Sequence, residues 1–166
     1  MLIAWTGHRP DIFRNPVTAR RAVRRLTASV LAVHSDPVFI CGGQRGVDIW
    51  SAEEALENGI PLHIILPCPP ELFAAAWKKR EQSQLKRVIR NATSCDVVDG
   101  DGAQGPLAYD LRNERMVSQA DRLIAVWTEL RLGGTFQTIC AAEAEGVPTH
   151  LVALPRAAGP RFGRGL

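Results

Sequence analysis

Val38-Phe39-Ile40-Cys41-Gly42-Gly43-Gln44-Arg45-Gly46-Val47-Asp48 decides the fold: an apolar run passes straight into a glycine-rich turn and from there into a helix start. Near-continuous apolarity, with no alternation, indicates a strand covered on both faces, as in a parallel sheet. Gly46 to Glu57 then reads as a helix stopped at Asn58-Gly59. The same pattern recurs to either side. Apolar runs occur at Leu2 to Trp5, Leu62 to Leu66, Cys95 to Val98, Leu123 to Trp127 and His150 to Val152. Helical stretches separate them. After Pro16, Val23, Leu26, Val30 and Val33 form one stripe, and Arg20, Arg21, Arg24 and Arg25 take the other side. Further helices are expected from Pro70 or Trp77 through Arg90, from Ala108 to Gln119, and from Thr135 to Glu145. Alternating strands and helices give an α/β fold, a three-layer open and mainly parallel sheet with helices on both faces.

At 166 residues the chain suits a single domain, expected over residues 1–154 and followed by a loose basic tail over 155–166. Asp99 to Pro106, with its glycines, also reads as loose. Lys and Arg exceed Asp and Glu by 20 to 17, a mild basic balance that favours anionic ligands only slightly. No apolar run approaches the roughly 18 residues of a membrane helix, and the apolar start is too short for a secretory signal, so a cytoplasmic location is expected. The four cysteines, Cys41, Cys68, Cys95 and Cys140, form no C-x-x-C pair, which argues against a disulfide framework or a zinc site. They read as reduced and mostly buried. No metal and no cofactor is implied.

Ligands of open parallel sheets bind beyond the carboxyl ends of the strands, and this sequence concentrates its unusual residues there. Thr6-Gly7-His8-Arg9-Pro10 follows the first strand, Gly42-Gly43-Gln44-Arg45-Gly46-Val47-Asp48 the second, and Leu132-Gly133-Gly134-Thr135 the fifth. Glycine lets backbone approach a ligand closely, and a helix start offers unpaired N–H groups and a positive dipole end. Such turns favour a phosphate, although strand-to-helix turns also carry glycine for steric reasons alone. Neither G-x-G-x-x-G nor G-x-x-x-x-G-K-[ST] is present, which disfavours a dehydrogenase or a P-loop ATPase.

Arg9 and Arg45 sit inside glycine loops, where a guanidinium can fork onto phosphate. Asp48 is either a partner for the helix dipole or an acceptor for ribose hydroxyls. His8 is open between packing and binding. Arg112-Asn113-Glu114-Arg115 covers more than one face of its helix, so at least one of these residues turns toward the crevice. Trp77 either stacks a base as part of a lid or seals the core.

Taken together, T-G-H-R, C-G-G-Q-R-G-V-D, R-N-E-R-M followed by A-D-R-L-I-A-V-W, and G-G-T before the final helix resemble the SLOG superfamily. That superfamily includes the lonely-guy phosphoribohydrolases and the Rossmann-like domain of DNA-processing protein A. The match is closest to its small single-domain YpsA-like and YspA-like branch, over roughly Leu2 to Val152. The resemblance implies a modified Rossmann fold with strands one and four central, and a nucleotide pocket where all four motifs meet. It also implies a ligand set of Thr6, Gly7, His8, Arg9, Gly42, Gly43, Gln44, Arg45, Gly46, Asp48, Arg112, Asn113, Gly133, Gly134 and Thr135.

Glu114 and Arg115 resemble the E-R pair of the lonely-guy enzymes and are the candidate catalytic residues. The glutamate of those enzymes' P-G-G-x-G-T-x-x-E loop is missing here, because Cys140 stands in its place, and Glu143 lies a turn too far along. Cleaving an N-glycosidic bond needs such a carboxylate. The sequence therefore favours binding or sensing of a nucleotide or a nucleotide-derived phosphorylated molecule. The alternatives are a nucleoside monophosphate phosphoribohydrolase and, third, a protein binding single-stranded nucleic acid through its basic sets. A homo-oligomer is expected from the alanines Ala141, Ala142 and Ala144, read as an exposed face, and from the habit of the superfamily.

Overall fold

The computed structural model describes residues 1–158. Six strands form one sheet: β1 (Leu2–Gly7), β2 (Val38–Cys41), β3 (Leu62–Leu66), β4 (Ser94–Val97), β5 (Arg122–Trp127) and β6 (Thr149–Ala153). Their order is β4-β3-β2-β1-β5-β6 and all neighbours pair in parallel. The expectation that the fourth strand is central is therefore corrected. The chain steps outward from β1 to β4, which becomes an edge, and then returns to the far side of β1. β5 takes the central place beside β1. The switch point thus lies between β1 and β5, where the loops leaving the two strands part in opposite directions and open a crevice.

Helices α1 (Pro16–Val33), α2 (Val47–Glu57) and α4 (Lys79–Asn91) pack on one side, and α5 (Leu107–Ser118) and α6 (Gly134–Ala144) on the other. The two-residue period of β1 shows how the layers are joined. Ile3 and Trp5 join Val23, Val30 and Ile49 in one cluster, whereas Ala4 joins Val117, Ile139 and Ala142 in the other. On β2, Phe39 and Cys41 face the first cluster and Ile40 meets Met116 and Ile65 on the opposite face. Both faces are dry, so alternation never appears in the sequence.

Asn15 caps α1 by accepting the Thr18 N–H at 3.1 Å, with Pro16 in the first turn. The buried stripe of α1 is Ala19, Ala22, Val23, Thr27 and Val30; Val33 is exposed. The single helix expected from Pro70 or Trp77 to Arg90 is instead two, a short α3 (Pro70–Phe73) and α4. Lys78 between them is extended, and its N–H donates to Glu81 Oε2 at 2.9 Å, which starts α4 afresh.

Specific bonds tie down one segment that reads as loose in the sequence and the start of the other. Asp99 is buried and accepts the Gln104 N–H at 2.7 Å, which ties down the turns up to Pro106. Pro155 O accepts from Arg14 N at 2.9 Å and Ala157 N donates to Ile12 O at 2.9 Å, so the expected loose tail is pinned at its start. Residues 159–166 of that tail lie outside the described residues. Ala142 is fully buried against the sheet, so it is core and not part of an exposed alanine face; Ala144 is exposed. Of the cysteines only Cys41 is buried, and Cys140 is exposed. Among the described residues no helix is long and apolar enough to cross a membrane.

Candidate functional site

At the switch point a cavity of about 380 Å³ opens beyond the ends of β1 and β5. Thr6, Gly7, His8 and Arg9 line it from the end of β1, Gln44 and Asp48 from the β2–α2 connection, and Arg112 and Asn113 from α5. Gly133, Gly134 and Thr135 close it at the start of α6. Four separate stretches of chain therefore meet in one crevice. Ile12, Met116, Leu130, Leu132 and Thr138 also line it; Met116 and Leu132 fall within the motifs, but none of the five stands out in the sequence as a ligand group. They are apolar or ordinary helix residues, and only the fold reveals that they border a cavity.

The remaining candidates lie elsewhere. Gly42, Gly43, Gly46 and Arg45 are outside the cavity lining. The three glycines are explained by packing. A Cβ on Gly42 would run into the Arg112 guanidinium, and one on Gly46 into the His8 carbonyl. Gly43 and Gly46 also hold φ of 68° and 94°, the left-handed side that glycine alone adopts freely. Arg45 donates to Glu81 at 3.2 Å and lies over the Trp77 ring at 5.5 Å. Trp77 packs edge-on against Phe73 with centroids 5.0 Å apart, so it seals the α3–α4 flank. Glu114 and Arg115 are exposed and outside the cavity lining, and Arg115 pairs with Asp96 at 3.3 Å.

The floor of the cavity is a buried polar set. Arg112 Nη1 donates to Gly42 O at 2.6 Å and stands 3.8 Å from Asp48 Oδ2, which accepts the Gln44 N–H at 3.3 Å. Burial pushes the Asp48 carboxyl up to about 6, against the pull of Arg112 and of backbone N–H groups. Burial also lowers the Arg112 guanidinium from its ordinary value, while Asp48 works in the other direction. His8 is lowered by burial and by Arg9 beside it, so its imidazole is neutral at physiological pH. His8 Nε2, Arg112 Nε and Asn113 Nδ2 are buried without a hydrogen-bond partner.

Gly133 precedes α6 with φ 79°, and the first amides of α6 border the crevice with no helical carbonyl to serve them. Arg9 is exposed at the rim and forms no ion pair among the described residues. Nor does any group of three His, Cys, Asp or Glu side chains suited to a metal ion occur among the described residues. The arrangement can hold an anion at α6, offer donors from the floor and present an apolar wall from Ile12, Leu130 and Leu132.

Several known proteins resemble this chain in sequence or in fold. UPF0398 proteins of Bacillus thuringiensis (strain Al Hakam) and Bacillus anthracis (strain A0248) are each 25% identical over 155 residues, covering 87% of this chain and 84% of theirs. Among solved structures, DNA processing protein A from Helicobacter pylori superposes with a TM-score of 0.66 at 16% identity, over 91% of this chain and 64% of that one. DNA processing protein A from Streptococcus pneumoniae gives 0.62 at 16% identity, over 97% and 51%. The structural-genomics target TM1055 gives 0.60 at 17%, over 89% and 71%. These structures share the fold. The sequence model of the YspA SLOG family matches residues 20–144, most of the sheet and both helical layers, and the chain belongs to that family.

Proposed function

We propose that this protein binds a nucleotide or a nucleotide-derived phosphorylated small molecule in the crevice between β1 and β5. One observation carries the reading: the unpartnered buried donors Arg112 Nε and Asn113 Nδ2 belong to residues lining the same cavity as the α6 N-terminus and Arg9. A buried donor left without an acceptor costs about 1–3 kcal/mol, so a fold that keeps two of them gains when an acceptor-rich ligand enters. Phosphate oxygens would take the amides of Gly134 and Thr135 together with the Arg9 guanidinium. Asp48 and Asn113 would meet sugar hydroxyls. Ile12, Leu130, Leu132 and Met116 offer the apolar surface a base requires, and the volume suits a mononucleotide.

The same cavity favours N-glycosidic hydrolysis less. Asp48 is its one carboxylate among the described lining residues, and it is already engaged by Arg112 and Gln44. Binding of single-stranded nucleic acid has support of a different kind. DNA processing protein A from Helicobacter pylori, which shares this fold, binds single-stranded DNA, and in the present chain Arg21, Arg24 and Arg25 are exposed on α1.

A thermal-shift panel of nucleoside mono- and diphosphates separates these readings. The expected result is a rise in melting temperature with at least one nucleotide, cut about tenfold in apparent affinity by Arg9→Ala. No shift with any nucleotide, alongside a salt-sensitive gel shift with a single-stranded oligonucleotide, would favour the nucleic-acid reading.

A further inference from the structure

A second cavity, lined by Gly105, Pro106, Tyr109, Asp110, Gly134 and Gln137, shares one wall residue with the crevice already described, Gly134. The two cavities are related by helical turns. On α5, Asn113 lines the first and Asp110, three residues earlier, lines the second. On α6, Thr138 faces the first and Gln137 the second, with Gly134 between them. Residues three or four apart share a helix face, and three residues rise roughly 4.5 Å. The two cavities therefore open side by side across the first turn of α6.

Resting on the nucleotide reading above, we propose that the second cavity is a subsite for a neutral polyhydroxyl group, a sugar joined to the nucleotide through its phosphates. The phosphate link would cross over Gly134. At that point the first α6 amides are free of helical partners, and the Asn113 amide nitrogen, buried and without a partner, is the nearest side-chain atom to where a Cβ would stand, at 3.9 Å. Gly134 has no side chain to block that passage.

The chemistry of the second cavity selects its occupant. Asp110 forms no ion pair among the described residues. A free carboxylate accepts hydroxyl hydrogens and repels a further phosphate. Gln137 is exposed and supplies one acceptor and two donors. The Tyr109 ring, 37% exposed, offers a flat face to the C–H side of a sugar. The ligand class is a nucleoside diphosphate sugar in preference to a nucleoside triphosphate, whose third phosphate would meet Asp110.

Calorimetric titration of the whole chain with matched pairs tests this: ADP against ADP-glucose, UDP against UDP-glucose and GDP against GDP-mannose. For the base that binds, the sugar-bearing partner should bind about tenfold more tightly, the worth of one or two added hydrogen bonds. The double variant Asp110→Asn/Gln137→Ala should lose that preference while holding its affinity for the bare diphosphate within about twofold. Equal affinity for both members of a pair in the native chain would overturn the subsite and leave the nucleotide reading standing. Binding of neither member, for every base, would overturn both.

Discussion

Gly7 and Gly134 both line the crevice, yet an added methyl group meets different surroundings at each. On Gly7 it would drive into the Val126 carbonyl and the Val47 side chain, backbone and core that cannot give way. Gly7→Ala is expected to cost about 2–4 kcal/mol, read as a lower urea midpoint. On Gly134 the methyl meets nothing closer than Asn113 Nδ2 at 3.9 Å, and the residue holds no positive φ. Gly134→Ala should therefore fold as well as the native chain or gain up to about 1 kcal/mol, since Ala suits a helix better. Asp48 adds a pH signature. Its carboxyl rises from 3.8 in the unfolded chain to about 6 in the fold, so the folded state holds its proton more tightly. That contribution is complete below pH 3.8 and is lost as pH climbs through about 6, a fall of about 3 kcal/mol over the window. Urea unfolding at stepped pH should show the decline, and Asp48→Asn should remove it. The sequence marks Asp48 as either a dipole partner or a ligand group, and nothing in the string of letters reveals that Arg112, far along the chain, is buried beside it.

α2 lies between α1 and α4, and a single carboxylate joins all three. Glu53, buried on α2, accepts from Arg20 of α1 at 2.9 Å and from Arg87 and Gln84 of α4, the latter at 3.1 Å. Either arginine alone still leaves the carboxylate a charged partner, and both guanidinium groups are half in water, which screens each pair. Arg20→Ala and Arg87→Ala should each cost about 0.5–1 kcal/mol, and the double variant more than their sum by about 1 kcal/mol, because Glu53 is then buried with Gln84 alone. A strictly additive double-mutant cycle would contradict this. The basic face of α1 is legible in the sequence as a charge pattern, but its use as a clamp is not, since the pattern also fits a solvated surface. Elements themselves are legible where apolar runs are long and bounded by Gly or Pro. The break between α3 and α4 is not, because it depends on Glu81 reaching back to the Lys78 amide.

Across the whole molecule, the sheet order turns scattered glycine loops into one crevice. Each loop is visible in the sequence as a strand-to-helix turn, and their convergence follows from placing them on one sheet edge. The position of β4 is not legible, because strand order depends on where crossovers land, which no local pattern records. Arg45 misleads for a related reason: Glu81 and Trp77, both beyond β3 in the chain, fold back to occupy it. Among the described residues no protein group engages the α6 N-terminus, the Arg9 side chain in an ion pair or the orphaned donors of the floor, and the proposed binding depends on their sharing one crevice. Calorimetry with the nucleotide that gives the largest thermal shift, on the native chain and on Gly134→Ala, tests this most directly. Saturable one-to-one binding to the native chain is expected, with at least about a tenfold loss in the variant and a variant melting temperature unchanged or higher. Equal affinity in both proteins would place the phosphate elsewhere and contradict binding at the start of α6.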